Sequence, residues 1–190
     1  SDLMVFSSTV TDAAIYGNAG GDTISLRSEV NASTIDLGAD ADSFSFTSTL
    51  SNSNVLGGAG NDTLVFGTAA KFTANSSISG GSNDDSLVFS AVVNSGTTVA
   101  GGGNSDTISF AKSVSGAVVS TDGGTDYISF TTLVTGSTMW GGGGLQTMVF
   151  SSAADSATFS GSFGGGTISL GAGIDNITFN NALGVALGGT

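Results

Sequence analysis

The sequence contains no cysteine, no proline and no histidine, and only three of its 190 residues are basic. The absence of cysteine excludes a disulfide scaffold. Without histidine or cysteine, the usual general bases and nucleophile pairs are missing, so we expect no enzymatic activity. The apolar runs are too short for a membrane-spanning helix, so we expect no membrane insertion.

The charge of the chain is strongly one-sided. Fifteen acidic residues face three basic ones, Arg27, Lys71 and Lys112, and the formal net charge is −12. Such a surface repels phosphate backbones, which excludes nucleic acid as a partner and favours bound cations. Apolar residues still make up 39% of the chain, so the composition indicates a folded protein rather than a disordered one.

Apolar residues recur in four columns at a step close to 20 residues. The first two lie two residues apart, which is typical of a strand; they contain Met4, Ile24, Phe44, Leu64, Leu87, Ile108, Ile128, Met148 and Ile168, and Phe6, Leu26, Phe46, Phe66, Phe89, Phe110, Phe130, Phe150 and Leu170. The third predicts a second strand in each coil and contains Ile15, Ile35, Val55, Ile78, Val99, Val119, Met139 and Phe159. The fourth, near the intervening bend, contains Val10, Val30, Leu50, Val93, Val114, Val134 and Ala154.

Similar side chains at a fixed step are best stacked directly above one another in parallel strands. The sequence therefore predicts an all-β protein, a right-handed parallel β-solenoid with about nine coils of about 20 residues. We expect one domain over residues 1–190, uncapped at both ends. The extra residues at Lys71–Asn75 break the period, and we expect them to form a bulged bend outside the core.

A glycine-rich turn precedes the first strand of each coil. The copies read GNAGGDTIS from Gly17, LGADADSFS from Leu37, GGAGNDTLV from Gly57, GGSNDDSLV from Gly80, GGGNSDTIS from Gly101 and TDGGTDYIS from Thr121, with degenerate copies from Gly141, Gly161 and Leu170. The copy from Gly57 matches the nonapeptide G-G-x-G-x-D-x-U-x at every position. The chain therefore resembles the RTX (hemolysin-type) calcium-binding β-roll family.

The resemblance implies a row of Ca²⁺ ions between the turns of successive coils, held by carboxylate and carbonyl oxygens. The implied ligands are the aspartates at the sixth turn position and their neighbours, namely Asp2, Asp22, Asp42, Asp62, Asp85, Asp106, Asp126 and Asp175, with Asp40, Asp84, Asn61, Gly58 and Gly60. Gln146 and Gly166 replace the aspartate in two copies, and the opposite bend has no such motif, so we expect calcium along one edge only. The alternative is that these aspartates simply cap backbone amides in tight turns.

These features favour a calcium-stabilised structural protein, extracellular or on a bacterial cell surface, that forms or belongs to a filament, sheath or surface layer. The chain starts inside one turn, at Ser1-Asp2, and stops inside another, at Gly188-Gly189-Thr190, which favours self-association end to end. The alternative is a repeat segment of a large adhesin or phage fibre that binds surface glycans or ice. A Thr and Ser ladder from Thr23 onward suits ice binding, but Tyr127 interrupts it. Trp140 is expected on the surface.

Overall fold

The computed structural model describes residues 1–160, 165–180 and 186–188, which form an all-β parallel β-solenoid of about nine coils of about 20 residues, without helices. The predicted fold class is therefore confirmed. No helix in these ranges has the length and apolar character needed to cross a membrane. Most of the predicted turn from Gly161, and the final residues of the tail at Gly189-Thr190, lie outside the described residues.

Each coil has two flat faces joined by two bends. Face A follows the glycine-rich turns; its strands are Leu3–Phe6, Thr23–Leu26, Ser43–Phe46, Thr63–Phe66, Ser86–Phe89, Thr107–Phe110, the second half of Val118–Phe130, Gly143–Val149, Gly166–Ser169 and Ala186–Gly188. Each strand pairs in parallel with its equivalent in the next coil, as Phe46 with Phe66 and Phe66 with Phe89. This register confirms the first two apolar columns of the sequence.

Face B lies across the core from face A. Its strands are Ala14–Tyr16, Thr34–Ala39, Asn54–Ala59, Ser76–Ser82, Thr97–Gly103, the first half of Val118–Phe130, Ser137–Trp140, Ser156–Phe159 and Asn176–Phe179. The pairing Ile15 to Ile35 and Ile35 to Val55 confirms the third column. We call the turn that leads from face B into the next face A strand the glycine bend, and the turn from face A to face B the second bend.

The second bend carries short strands of its own. Val10–Thr11, Val30–Asn31, Thr49–Ser51 and Lys71–Thr73 form one parallel ladder, and Val114–Ser115 pairs with Val134–Thr135 in another. Two predictions at this bend are wrong. Phe72 is 1% exposed and pairs with Leu50, so the segment Lys71–Asn75 supplies a core side chain instead of lying outside the core. Ala154 is exposed, because the buried Asp155 side chain accepts the amide of Val134 there.

A stack of phenylalanine rings forms the centre of the core. The ring centroids of Phe66, Phe89, Phe110, Phe130 and Phe150 are 4.8, 4.9, 5.0 and 5.0 Å apart in sequence, and the planes of Phe66 and Phe89 differ by only 3°. This spacing is the rise of one coil. The rings therefore hold successive turns of the glycine bend in register, one directly above the next.

Candidate functional site: buried aspartates in the glycine bend

The glycine bend places one aspartate of each coil inside the solenoid, at the end of the apolar core. The six aspartates are at most 4% exposed; they are Asp22, Asp42, Asp62, Asp85, Asp106 and Asp126. Each lies directly before a face A strand whose first inward side chain is apolar, so the strand alternation points the carboxyl group inward. The sequence predicted the row but not its burial.

One oxygen of each buried carboxyl group accepts a backbone hydrogen bond from the preceding coil. The amide of Asp42 donates to Asp62 Oδ1 at 2.8 Å, that of Asp62 to Asp85 Oδ1 at 2.8 Å, and that of Asp85 to Asp106 Oδ1 at 2.9 Å. The same contact joins the amide of Asp2 to the Asp22 carboxyl. The aspartates therefore do cap backbone amides, as the alternative interpretation of the sequence has it.

The second oxygen has no such partner. Oδ2 of Asp22, Asp42, Asp62, Asp85 and Asp106 is buried and accepts no hydrogen bond. It points at the buried glycine that opens the same turn: a Cβ added to Gly57 would lie 2.6 Å from Asp62 Oδ2, and one added to Gly17 would lie 2.8 Å from Asp22 Oδ2. The carbonyl oxygen of the next coil borders the same space, from Gly80 beside Gly57 and from Gly101 beside Gly80. A carboxylate oxygen and a carbonyl oxygen thus meet where only glycine leaves room.

Burial makes ionisation of this row costly. Desolvation raises the pKa of Asp62 to about 6 and those of Asp85 and Asp106 to about 7, against the amide of the preceding aspartate, which lowers each value. The neighbouring carboxylates of the row raise these pKa values further. Desolvation also raises the pKa of Asp42. Within the described ranges, the one ion pair joins the amino terminus of Ser1 to Asp22 Oδ1, at 3.9 Å. The centre of the row therefore has no basic side chain to neutralise it.

The row ends at a side chain that donates hydrogen bonds. Gln146 is fully buried, pairs in register with Asp126, and donates from Nε2 to the carbonyl oxygen of Gly143 at 3.0 Å. Burial raises the pKa of Asp126, while the Asp106 amide and the side chains of Gln146 and Thr121 lower it. Thr121 occupies the glycine position of its turn and donates its hydroxyl to the Gly141 carbonyl. Sequence reasoning noted Gln146 only as a missing aspartate; a hydrogen-bond inventory of amide against carboxylate would have identified its role.

Two predicted members lie apart from the buried row. Asp2 is exposed at the first turn. Asp175 belongs to the second bend, because Ser156 pairs with Asn176 on face B and the amide of Asp155 donates to Asp175 Oδ1 at 2.9 Å. The prediction that placed Asp175 on the edge of the row is therefore wrong: its turn follows the preceding one after nine residues, which is half a coil.

The remaining predicted polar residues lie on the outer surface of the glycine bend. Asp40, Asn61 and Asp84 are exposed, and each accepts a backbone amide from an adjacent coil. Asp40 Oδ2 accepts from Gly20, and Asp84 Oδ1 accepts from Ser105, both at 2.9 Å. These side chains are not brought to the buried Oδ2 atoms, so the bend carries an inner row of carboxyl groups and a separate outer set.

Gly58 and Gly60 have a conformational role in the structure. Their φ angles are +109° and +130°, and stacked residues repeat this left-handed conformation in two columns, with Gly38, Gly81 and Gly102 beside Gly58, and Asp40, Asn83 and Asn104 beside Gly60. Glycine, asparagine and aspartate are the residues that tolerate positive φ. The turn therefore keeps its shape through the degenerate copies.

Substitution of Gly102 by alanine is expected to destabilise the fold by at least about 2 kcal/mol, since the residue has φ +117° and its Cβ would overlap the Gly81 carbonyl oxygen. Gly103→Ala is the matched control, because no atom lies within 4 Å of the Cβ position and its φ is not positive. Urea unfolding of both variants checks this prediction. Equal losses of stability would show that backbone conformation does not limit the turn.

Comparisons with known proteins identify no relative: no family model, no curated protein and no solved structure matches the chain. The resemblance to calcium-binding β-rolls thus stands on the turn motif alone. The solenoid itself is shown by the strand pairing.

The buried row fits a cation in donor chemistry. Calcium prefers carboxylate and carbonyl oxygens, and each turn offers an unpartnered Oδ2 beside a carbonyl oxygen. No three acidic, histidine or cysteine side chains converge on one point in the described part of the chain. A cation in this bend would therefore take most of its ligands from backbone carbonyls and the carboxyl groups of two adjacent coils, an arrangement suited to millimolar affinity.

Proposed function

We propose that the protein is a calcium-stabilised structural protein, extracellular or on a bacterial cell surface, that forms or belongs to a filament, sheath or surface layer. The observation that carries this proposal is the row of buried, unpartnered Asp Oδ2 atoms from Asp22 to Asp106. Five buried carboxylates with no basic neighbour beyond the amino terminus destabilise a fold unless protons or cations neutralise them.

Calcium at the glycine bend would couple metal binding to folding. The carboxyl groups of Asp62, Asp85 and Asp106 would hold the ions with the carbonyl oxygens of the same bend, and the stacked coils would position them. At the millimolar calcium of an extracellular medium the solenoid would be stable. At low cytosolic calcium the chain would remain poorly folded, a state compatible with export.

The flat faces suit a structural role better than catalysis. Outward side chains on face A are small and uncharged along one ladder, with Thr63, Ser86 and Thr107 in register, and Tyr127 is 44% exposed where the ladder is interrupted. Trp140, predicted on the surface, is 45% exposed on face B. These faces present few of the charged or convergent polar groups that catalysis requires.

End-to-end association is part of the proposal. The strand Leu3–Phe6 pairs on one side with Thr23–Leu26, and Met4, Phe6, Val10 and Ile15 line an open depression at the outer edge of the first coil. Inner coils cover the same positions with the next coil. We propose that a coil of a second copy covers them, with parallel pairing continued across the junction.

Electron microscopy of the purified protein tests the assembly. In millimolar calcium we expect rods much longer than the roughly 43 Å that nine coils span at about 4.8 Å each, and in excess chelator we expect their loss. Magnesium at the same concentration is the control, since it demands a tighter octahedral site. Single rods of uniform 43 Å length in calcium would contradict end-to-end stacking, and rods unchanged in chelator would contradict the calcium mechanism.

A further inference from the structure

The ladder of the second bend is broken at the fourth coil. The strand Lys71–Thr73 pairs with Thr49–Ser51, and no pairing continues it toward the next coil in the part of the chain described. Pairing resumes only at the bridge between Val93 and Val114. The step from Phe66 to Phe89 is 23 residues rather than 20, and the added residues separate the bends of these two coils.

The break opens a groove of about 360 Å³ across the second bend. Its floor is apolar, with Phe72, Ala70 and Ala91 each at most 5% exposed. Lys71 and Lys112 lie on its rim, and both are exposed. The groove therefore combines an apolar floor with two cationic side chains.

The groove concentrates the positive charge of a strongly acidic protein. Lys71 and Lys112 are two of the three basic residues of the chain, and neither forms an ion pair within the described ranges. Between Glu29 and Asp155, every acidic residue lies in the glycine bend or, for Asp36, on the strand that leads into it. The middle coils thus have a basic second bend and an acidic glycine bend on opposite edges.

The spacing of charges matches between the two edges. Lys71 follows the strand Thr63–Phe66 and Lys112 follows Thr107–Phe110, so the lysines are two coils apart. Asp40 and Asp84 precede Ser43–Phe46 and Ser86–Phe89, so these exposed carboxylates are also two coils apart. Two coils rise by roughly 10 Å. The lysines of one rod can therefore face both carboxylates of a parallel neighbour displaced by one coil along the axis.

We propose that the groove at Lys71 and Lys112 binds the outer glycine bend of a second copy, at Asp40 and Asp84, and so joins parallel rods edge to edge. The contact uses different surfaces on the two partners, so it repeats without closing and builds a sheet of rods. This inference rests on the proposed structural role and adds a lateral contact to it.

Sedimentation velocity in calcium tests the contact. We expect wild-type protein to associate at about 20 mM salt and to dissociate toward about 500 mM salt, since exposed ion pairs are screened. Two variants should each lose this association: Lys71→Gln with Lys112→Gln, and Asp40→Asn with Asp84→Asn. Asparagine keeps the side-chain oxygen that accepts the amide of Gly20 or Ser105, and it tolerates the φ of +77° at Asp40. Circular dichroism confirms that both variants fold.

The decisive step is to mix the two variants. Each retains one intact edge, so the mixture should form pairs and nothing larger by the lateral contact. Arg27→Glu removes the same amount of positive charge from the second bend outside the groove, and it should leave association unchanged.

Four results would overturn the lateral contact: monomers at every concentration, association that survives the lysine substitutions, no pairing in the mixture, or monomers that bind polygalacturonate through the lysines. The last would identify an acidic glycan as the occupant. Rod length in chelator reports on the calcium mechanism separately, because lateral contact changes the width of an assembly and not its length.

Discussion

In saturating calcium, Asp85→Asn will lower the free energy of unfolding, whereas in excess chelator at about pH 8 the same substitution will raise it. At that pH the Asp85 carboxyl group, whose pKa burial raises to about 7, is ionised, and its charge is buried beside those of Asp62 and Asp84. Removal of an uncompensated buried charge should stabilise the metal-free protein by about 1–3 kcal/mol. In calcium the same change removes a ligand, and a site filled at 100 times its dissociation constant contributes about 2.7 kcal/mol.

Asparagine suits this position sterically. Its Oδ1 can still accept the Asp62 amide, which donates to Asp85 at 2.8 Å in the native protein. Its amide nitrogen would replace Oδ2 near Gly80 and the Gly101 carbonyl oxygen, and it can donate there. Gln146 already shows this solution at the end of the row, where its amide donates to the Gly143 carbonyl oxygen. The variant therefore tests charge and metal ligation with little change in shape.

The measurement is urea unfolding of both proteins with calcium and with chelator. Asp12→Asn is the matched control: Asp12 is exposed on the second bend with φ +51°, so asparagine fits and the charge change is the same. Its effect should stay within about 0.5 kcal/mol in both conditions. A loss of stability for Asp85→Asn in chelator would mean that the carboxyl group itself is needed, and equal effects in both conditions would contradict calcium at this turn.

The fold could be predicted from the sequence because its signal is repeated. Phe46, Phe66, Phe89 and Phe110 recur through steps of 20, 23 and 21 residues, and the flanking DTxxF-like segment keeps the alignment despite the insertions. Stacking converts this repetition directly into ring contacts at 4.8–4.9 Å. Phe72 was missed because it has no equivalent at the fixed step, although an aromatic residue beside a buried bend has a strong tendency to enter the core.

The candidate site was predictable in composition but not in orientation. The motif identifies Asp62 and its equivalents, yet it does not distinguish a carboxyl group at the surface from one that closes the end of the core. That difference depends on strand alternation: Asp62 lies two residues before the buried Leu64 and so shares its inward side, while Asn61 points outward. Asp175 was misplaced for a related reason, since a local motif does not show which half of the coil contains it.

The second large prediction concerns pH: without metal, stability will fall as pH rises from about 4 to about 7, and with saturating calcium it will not fall over the same range. Asp62, Asp85 and Asp106 have folded-state pKa values raised to about 6, 7 and 7, above the 3.8 of the unfolded chain. Between these values the folded protein holds protons that the unfolded chain has released. Stabilisation by protonation is therefore fully present below about pH 4 and lost as pH rises through the folded-state values.

Each proton held only by the folded protein contributes a slope of about 1.4 kcal/mol per pH unit. Calcium reverses the sign because the ion favours the ionised carboxylates, so that folding with bound metal releases protons instead of taking them up. Thermal unfolding at half-unit steps of pH, with calcium and with chelator, gives two curves that should diverge steadily toward pH 8. The combined substitution of Asp62, Asp85 and Asp106 by asparagine should flatten the chelator curve.

These two curves also separate the two interpretations of the row. If the aspartates only cap backbone amides, protons are the sole means of neutralising Oδ2, and calcium will leave the falling curve unchanged. If the glycine bend binds calcium, the metal-bound curve will lie above the other by a margin that grows with pH, because each lost proton frees a ligand oxygen. A chelator curve that rises with pH would contradict the unneutralised burial of Asp62, Asp85 and Asp106, on which both interpretations depend.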